Sequence, residues 1–236
     1  PYSSRGKPLA HHDPVGRPHS ALRFPRIESQ GRHSTCPQLT TAVLETNTMA
    51  IGNLQERVRD HTQPPLTIVP VTLADPALVE IIGFAGAESV IIDAEHGAIG
   101  PETMRSMLAH ARSANVAAVF RPGSFDAALC RQALDAGASG VHVSHVDTAD
   151  EARSVVHACR YAPLGKRDMS LGRAVDYKVS RIPAYVADAN QSQLLVVMIE
   201  SPKGLENANA IAAVEGVDVL HVGTADLTHS LGYAIG

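Results

Sequence analysis

From Leu66 onward, short runs of β-branched and apolar residues alternate with amphipathic stretches, the pattern of successive βα units that build a parallel sheet. Strands are expected at Thr67 to Val71, Ser89 to Asp93, Ala117 to Arg121, Gly140 to Ser144, near Met169, at Leu194 to Glu200 and at Val217 to Val222, seven in all. Helices lie between them, one with Leu78, Ile81, Ile82 and Ala85 on a single face, another with Leu129, Ala133 and Leu134. Helix starts are marked by Asp75-Pro76 and Gly100-Pro101-Glu102, where proline fits the first turn.

A quasi-repeat sharpens this pattern. Ala-Gly-Ala-Glu-Ser-Val-Ile-Ile-Asp (85–93), Ala-Gly-Ala-Ser-Gly-Val-His-Val-Ser (136–144) and Val-Glu-Gly-Val-Asp-Val-Leu-His-Val (214–222) each end a helix with glycine and enter a strand. Equivalent αβ turns around one ring suit a (β/α)₈ TIM-type barrel. A doubly wound sheet would favour a Gly-rich phosphate turn after its first strand, and Val71-Thr-Leu-Ala-Asp-Pro has none. After the last expected strand comes Gly-Thr-Ala-Asp-Leu-Thr-His-Ser-Leu-Gly-Tyr-Ala-Ile-Gly with no eighth strand, so the pattern predicts a barrel truncated after strand seven, with open edges on strands one and seven. Residues 1–48, rich in Ser, Pro, His and Arg, lack a hydrophobic period and read as a disordered or non-native extension. Met49 opens the incomplete barrel domain at 49–236.

Composition narrows the functional class. The chain has 236 residues, 44% hydrophobic and 19% charged, enough for one sizeable core. A net charge of −4 gives no electrostatic reason to approach nucleic acid or an anionic membrane, and no apolar run is long enough to span a bilayer. Cys36, Cys130 and Cys159 are odd in number and without CxxC spacing, which argues against a disulfide framework or thiolate metal site and for a reducing cytoplasm. A cytoplasmic protein acting on small molecules is the expectation.

In a βα barrel, polar residues ending different strands converge on one mouth. Those residues here are Asp93-Ala94-Glu95-His96-Gly97, Arg121-Pro122, Glu200-Ser201-Pro202 and Gly223-Thr224-Ala225-Asp226. A carboxylate ending a strand is by itself more often a helix cap, so the weight rests on the set. Glu200 and Asp226 offer hard oxygen ligands to an octahedral Mg²⁺, Mn²⁺ or Co²⁺ with positions left for substrate. A 2-oxo acid can chelate such an ion, and Arg121 adds fixed positive charge where enolate charge develops. His96 is the neutral-pH base of the set, with carboxylates such as Asp93 close in sequence to orient it.

The runs Ile-Ile-Asp-Ala-Glu-His-Gly, Phe-Arg-Pro, Arg-Tyr-Ala-Pro-Leu-Gly-Lys-Arg, Val-Met-Ile-Glu-Ser and Val-Gly-Thr-Ala-Asp-Leu, with Leu-Gly-Tyr behind them, resemble the HpcH/HpaI family of class II pyruvate aldolases from about Leu54 to Gly236. The resemblance implies a lyase that cleaves 4-hydroxy-2-oxo acids to pyruvate and an aldehyde through a metal-stabilised enolate, on a barrel that assembles as a homo-oligomer when complete. It implies His96 as base acting through a water, Arg121 at the enolate, Glu200 and Asp226 on the metal, and Ala225 and Asp226 at the pyruvate carboxylate. It also implies that Asp135 raises the basicity of His96, across a subunit interface; read without the resemblance, Asp135 is a solvated helix-end residue. The pattern departs from the family at Met198, where a glutamine is common, and at Ser144 and Thr224, where prolines are. Met198 shares the face of Glu200 by strand alternation, so the pocket wall facing substrate loses an amide.

Three other readings compete. A Schiff-base aldolase needs a buried lysine, and Lys7, Lys166, Lys178 and Lys203 all fall outside the expected strands. A citrate-lyase-like acyl-CoA lyase fits less well with the Glu-His-Gly run and the lack of a basic nucleotide pocket. An inactive fragment or interaction protein of the same fold is the third.

Overall fold

The computed structural model describes residues 53–234. The expected extension at 1–48 and the start at Met49 lie outside the described residues. Within them the chain forms a parallel α/β half-barrel whose six strands pair in sequence order.

The order begins with α1 (Leu54–Arg59), then β1 (Ile68–Val71), α2 (Pro76–Phe84), β2 (Ser89–Asp93), α3 (Pro101–Ser113), β3 (Ala117–Arg121), α4 (Ala127–Asp135), β4 (Gly140–Val143) and α5 (Ala149–Cys159). Two 3₁₀ turns follow at Arg173–Val175 and Val179–Arg181, then α6 (Ile182–Ser192), β5 (Leu194–Ile199), α7 (Pro202–Glu206), α8 (Ala208–Ala212), β6 (Val219–Val222) and α9 (Thr224–Ser230). Local chemistry sets these boundaries. Asp75 and Asp126 accept the first backbone N–H groups of α2 and α4, and Thr148 with Glu151 forms a full capping box on α5. Gly86, Gly137 and Gly216 take φ of 94°, 101° and 98°, so the three copies of the quasi-repeat do adopt one αβ turn. The left-handed residue lets the following N–H reach back to the helix, as Ala87 does to Ile82 O and Ala138 to Ala133 O.

One strand expectation is corrected. The segment near Met169 contains no strand, and β4 pairs directly with β5, Gly140 opposite Leu194. The segment carries Pro163, Gly165 and the charged run Lys166-Arg167-Asp168, and has no alternation that could line a sheet. Its anchor is a buried cation: Arg167 donates to Asp135 (2.7 Å), Gln193 (2.8 Å) and the Tyr185 hydroxyl (3.2 Å), and lies over the Tyr161 ring at 4.6 Å.

Strand alternation divides the side chains between two cores. Val90, Ile92, Ala118, Phe120, Val141, Val143, Leu195, Val197 and Ile199 face the helices and pack on Val79, Met104, Met107 and Leu134. Ala117, Val119, Leu194 and Val196 face inward and are covered by Leu54 of α1. The α1 helix is fastened there by Gln55, whose buried amide donates to Asn190 O (3.1 Å) and Gln193 O (2.5 Å).

Further along the same inner face the filling becomes polar. His142 of β4 is buried, and its Nε2 lies 3.2 Å from Nδ1 of His221 on β6. Burial, helped by the neighbouring His221 and Arg121 charges and opposed by Asp93, pushes the His142 imidazole down to about 3. In the unfolded chain the same ring takes up its proton near pH 6.5. The unfolded state therefore binds the extra proton first, and stability is lost as pH falls from about 6.5 toward 3. The expected outcome is that His142→Phe flattens the acid-side decline of the urea midpoint between pH 7 and 5. An unchanged slope would remove His142 from the acid sensitivity.

Candidate functional site

The inward-facing residues at the C-terminal ends of the strands form one polar group. Asp93 ends β2 and Arg121 ends β3, and the two stand opposite each other in register. Their side chains make a two-pronged ion pair, Nε to Oδ1 at 2.9 Å and Nη2 to Oδ2 at 2.5 Å, nearly closed to water. Asp93 Oδ1 also accepts the backbone N–H groups of Glu95 (3.0 Å) and His96 (3.3 Å), which turns the chain sharply after β2. Burial alone would raise the Asp93 carboxyl, but the Arg121 guanidinium and these N–H groups outweigh it and hold it below the usual carboxylate range. Burial likewise works against the Arg121 charge, and Asp93, Glu95 and Glu200 together overcome it.

That turn carries Glu95 back over the mouth. Its Oε2 accepts from Ser144 Oγ (2.8 Å) and lies 3.2 Å from Arg121 Nη1. Its Oε1 lies 3.1 Å from Nε2 of His145, whose Nδ1 lies 2.9 Å from Oε1 of Glu200. The His145 backbone N–H donates to that same Glu200 oxygen at 2.8 Å. Glu95, His145 and Glu200 thus each offer a ligand atom, all within 4.8 Å of one another. Three carboxylates face one guanidinium here, a surplus of negative charge that favours a cation.

Glu200 is buried at the end of β5, and its second oxygen, Oε2, faces Gly223. A Cβ at 223 would collide with Glu200 and with the Met198 methyl, so glycine lets the end of β6 pack directly against them. No hydrogen bond or ion pair among the described residues engages Oε2. A carboxylate oxygen without a protein partner among the described residues, beside further carboxylate and imidazole donors, fits a divalent cation.

Of the expected residues, Asp93, Arg121 and Glu200 meet in this group, with Met198 on the same face as Glu200. His96 stands at its rim, 62% exposed, with Nε2 3.8 Å from Glu95 Oε2. Ala225 and Asp226 lie exposed in the first turn of α9, and Asp226 is not one of the three clustered ligands. Asp135 ends α4, which runs back from the mouth, and its carboxylate pairs with Arg167 of the same chain rather than with His96. Lys166, Lys178 and Lys203 are exposed, so no lysine among the described residues is buried for Schiff-base chemistry. His145 and the structural part played by Glu95 escaped the sequence reading. The strand-end rule extended to β4 reaches His145, which directly follows Ser144.

Removing Asp93 takes away the two-pronged partner of Arg121 and leaves the half-buried guanidinium with Glu95 at 3.2 Å. Asp93→Ala is expected to cost about 3 kcal/mol in urea unfolding, against under about 1 kcal/mol for the exposed pair partner Asp150→Ala. Equal losses in the two variants would mean that the pair does not hold the strand ends together.

Comparison with known proteins places this geometry in a lineage. Residues 67–235 match the family model described as HpcH/HpaI aldolase/citrate lyase. The chain is 42% identical over 164 residues to a hydroxypyruvate/pyruvate aldolase of Deinococcus radiodurans, covering 68% of this chain and 58% of that protein. It is 40% identical over 159 residues to a 2-keto-3-deoxy-L-rhamnonate aldolase of Salmonella paratyphi B, covering 66% of this chain and 58% of that one. The chain thus spans under two thirds of the length of these curated relatives. Among solved structures, a family protein from Burkholderia cenocepacia superposes with a TM-score of 0.71 at 31% identity, covering 78% of this chain and 73% of the other.

Proposed function

This chain belongs to the HpcH/HpaI aldolase/citrate lyase family, and on that premise we propose that it carries the chemistry of a metal-dependent lyase that cleaves 4-hydroxy-2-oxo acids to pyruvate and an aldehyde. The observation that carries the reading is the group formed by Glu95, Arg121, His145 and Glu200 at the strand ends, with Glu200 Oε2 unpaired among the described residues. The names of the relatives as aldolases support the reaction class. The finer architecture proposed is a (β/α)₈ barrel that acts as a cytoplasmic homo-oligomer.

Glu200 and Asp226 are the proposed metal ligands, with Mg²⁺, Mn²⁺ or Co²⁺ supplying Lewis acidity toward the 2-oxo acid. Arg121, held rigid by Asp93, keeps a fixed charge where the C2 oxygen of the substrate becomes negative. Ala225 and Asp226 would offer backbone N–H groups to the pyruvate carboxylate, and Met198 forms an apolar wall where an amide is common in the family. His96 takes the proton of the C4 hydroxyl, with Glu95 Oε2 3.8 Å from its Nε2. The C3–C4 bond then breaks, its electron pair passes into the enolate of pyruvate, C4 leaves as the aldehyde, and a proton returned to C3 completes the reaction. Asp135 remains a candidate to support the His96 of a neighbouring subunit, a role that requires release from Arg167.

Pyruvate release from a panel of 4-hydroxy-2-oxo acids is expected to vanish in EDTA and return with Mg²⁺, Mn²⁺ or Co²⁺, in this chain or in a version extended to the length of its relatives. Full activity in EDTA, or covalent trapping of pyruvate by borohydride, would overturn the proposal. Arg121→Lys should lower kcat by about 10²-fold, because a point charge does not reproduce the guanidinium fork. His96→Ala should lower aldol turnover by about 10²- to 10⁴-fold while sparing oxaloacetate decarboxylation, which needs no hydroxyl deprotonation. Equal loss of both reactions in a folded, metal-bound variant would exclude His96 as the base.

A further inference from the structure

His145 follows the end of β4, and its ring lies between two of the three carboxylates at the site. We infer that His145 supplies a nitrogen ligand to the divalent cation, so that the site is a mixed imidazole–carboxylate set that favours Mn²⁺, Co²⁺ or Zn²⁺ over Mg²⁺. The inference rests on the metal-dependent reading above and adds the identity of a ligand and the resulting ion preference.

Three observations carry it. Nδ1 lies 2.9 Å from Glu200 Oε1 and Nε2 lies 3.1 Å from Glu95 Oε1, so each ring nitrogen already faces a carboxylate that could share an ion with it. The backbone holds the ring in that place: His145 has φ of 58°, its N–H is fixed on Glu200, and the next N–H, of Val146, donates to Met198 O at 3.0 Å. A histidine in the left-handed region is uncommon enough to require such anchoring. Finally, the ring is 64% exposed while both glutamate side chains are nearly closed to water, so the imidazole is the part of the group that an arriving ion can displace or recruit without opening the core.

The glutamates are arranged to leave room for this. Glu95 Oε2 is occupied by Ser144 and Arg121, which turns Oε1 toward His145. Glu200 Oε2 is unpaired among the described residues. With one ring nitrogen on the ion, the other keeps a carboxylate partner, the arrangement that fixes the tautomer and orientation of a liganding histidine. Mg²⁺ prefers all-oxygen surroundings and retains its waters, whereas imidazole suits the later transition ions.

The test is pulsed EPR of Mn²⁺ bound to this chain, with Mn²⁺, Co²⁺, Zn²⁺ and Mg²⁺ affinities measured by calorimetry. His145→Asn tolerates the left-handed backbone and replaces the nitrogen donor by an amide oxygen, with circular dichroism to verify folding and His96→Ala as the companion variant. Directly coordinated ¹⁴N should be seen in the unmodified chain and in His96→Ala and be absent in His145→Asn. Co²⁺ and Zn²⁺ affinity should fall by about tenfold or more in His145→Asn, with Mg²⁺ affinity nearly unchanged. Bound Mn²⁺ without ¹⁴N coupling, or coupling that survives in His145→Asn, overturns the inference and leaves the metal-dependent reading standing. No binding of any of these ions by the unmodified chain overturns both.

Discussion

The ion pair between Asp93 and Arg121 is the interaction on which the mouth of this half-barrel depends. It joins β2 to β3 at the point where backbone pairing ends, and it uses both prongs of the guanidinium. Asp93 does a second thing with the same carboxylate: it accepts two backbone N–H groups and so folds Glu95 and His96 back across the strand ends. Arg121 in turn holds Glu95 and acts on Glu200 through space. Position, orientation and charge of the other side chains follow from that pair.

The scaffold reaches this point by repetition. Several helices begin on a capping side chain, among them those capped by Asp75, Asp126 and Thr148, and three of the returns to the sheet pass through a left-handed glycine, so successive units add in the same sense and every strand delivers its end to one side. The interior is apolar where α1 covers it and becomes polar toward the mouth, with buried His142 and its contact to His221 between the two regimes. The neutral imidazole of His142 lets that layer pack near Arg121 and Asp93 without adding a third charge to a water-poor space.

Much of this was legible in the sequence for a definite physical reason. Parallel strands buried on both faces leave runs such as Ser-Val-Ile-Ile-Asp and Leu-Leu-Val-Val-Met-Ile, and the polar residue that ends each run marks the mouth. Asp93, Arg121 and Glu200 could be collected that way because strand periodicity fixes which face they share. The misread segment near Met169 shows the limit of the same rule: an isolated apolar residue amid Pro, Gly and charge has no periodicity, and what holds it is the distant Arg167–Asp135 contact. His145 lies within reach of the same strand-end rule, but the placement of its ring does not. That placement depends on a left-handed φ just past β4, a backbone choice that a histidine does not announce. Nor could spacing reveal that Asp135 is paired within the chain, since its partner lies 32 residues away.

The charge balance of the group constrains what can enter it. Arg121 is already neutralised by Asp93, so its attraction for an incoming anion is weakened before Glu95 and Glu200 are counted. A 2-oxo acid alone would bring a carboxylate toward two glutamates, and in a poorly hydrated site like charges repel more strongly than in water. Under the proposed function, a divalent cation on Glu200 would reverse that sign: the substrate carboxylate and keto oxygen would gain a positive partner, and Arg121 would be left to respond to charge that appears only as the C–C bond breaks. An arrangement that repels the substrate without the ion and stabilises the transition state with it would couple catalysis to metal occupancy, because both the ion and the guanidinium would act on the same developing oxyanion.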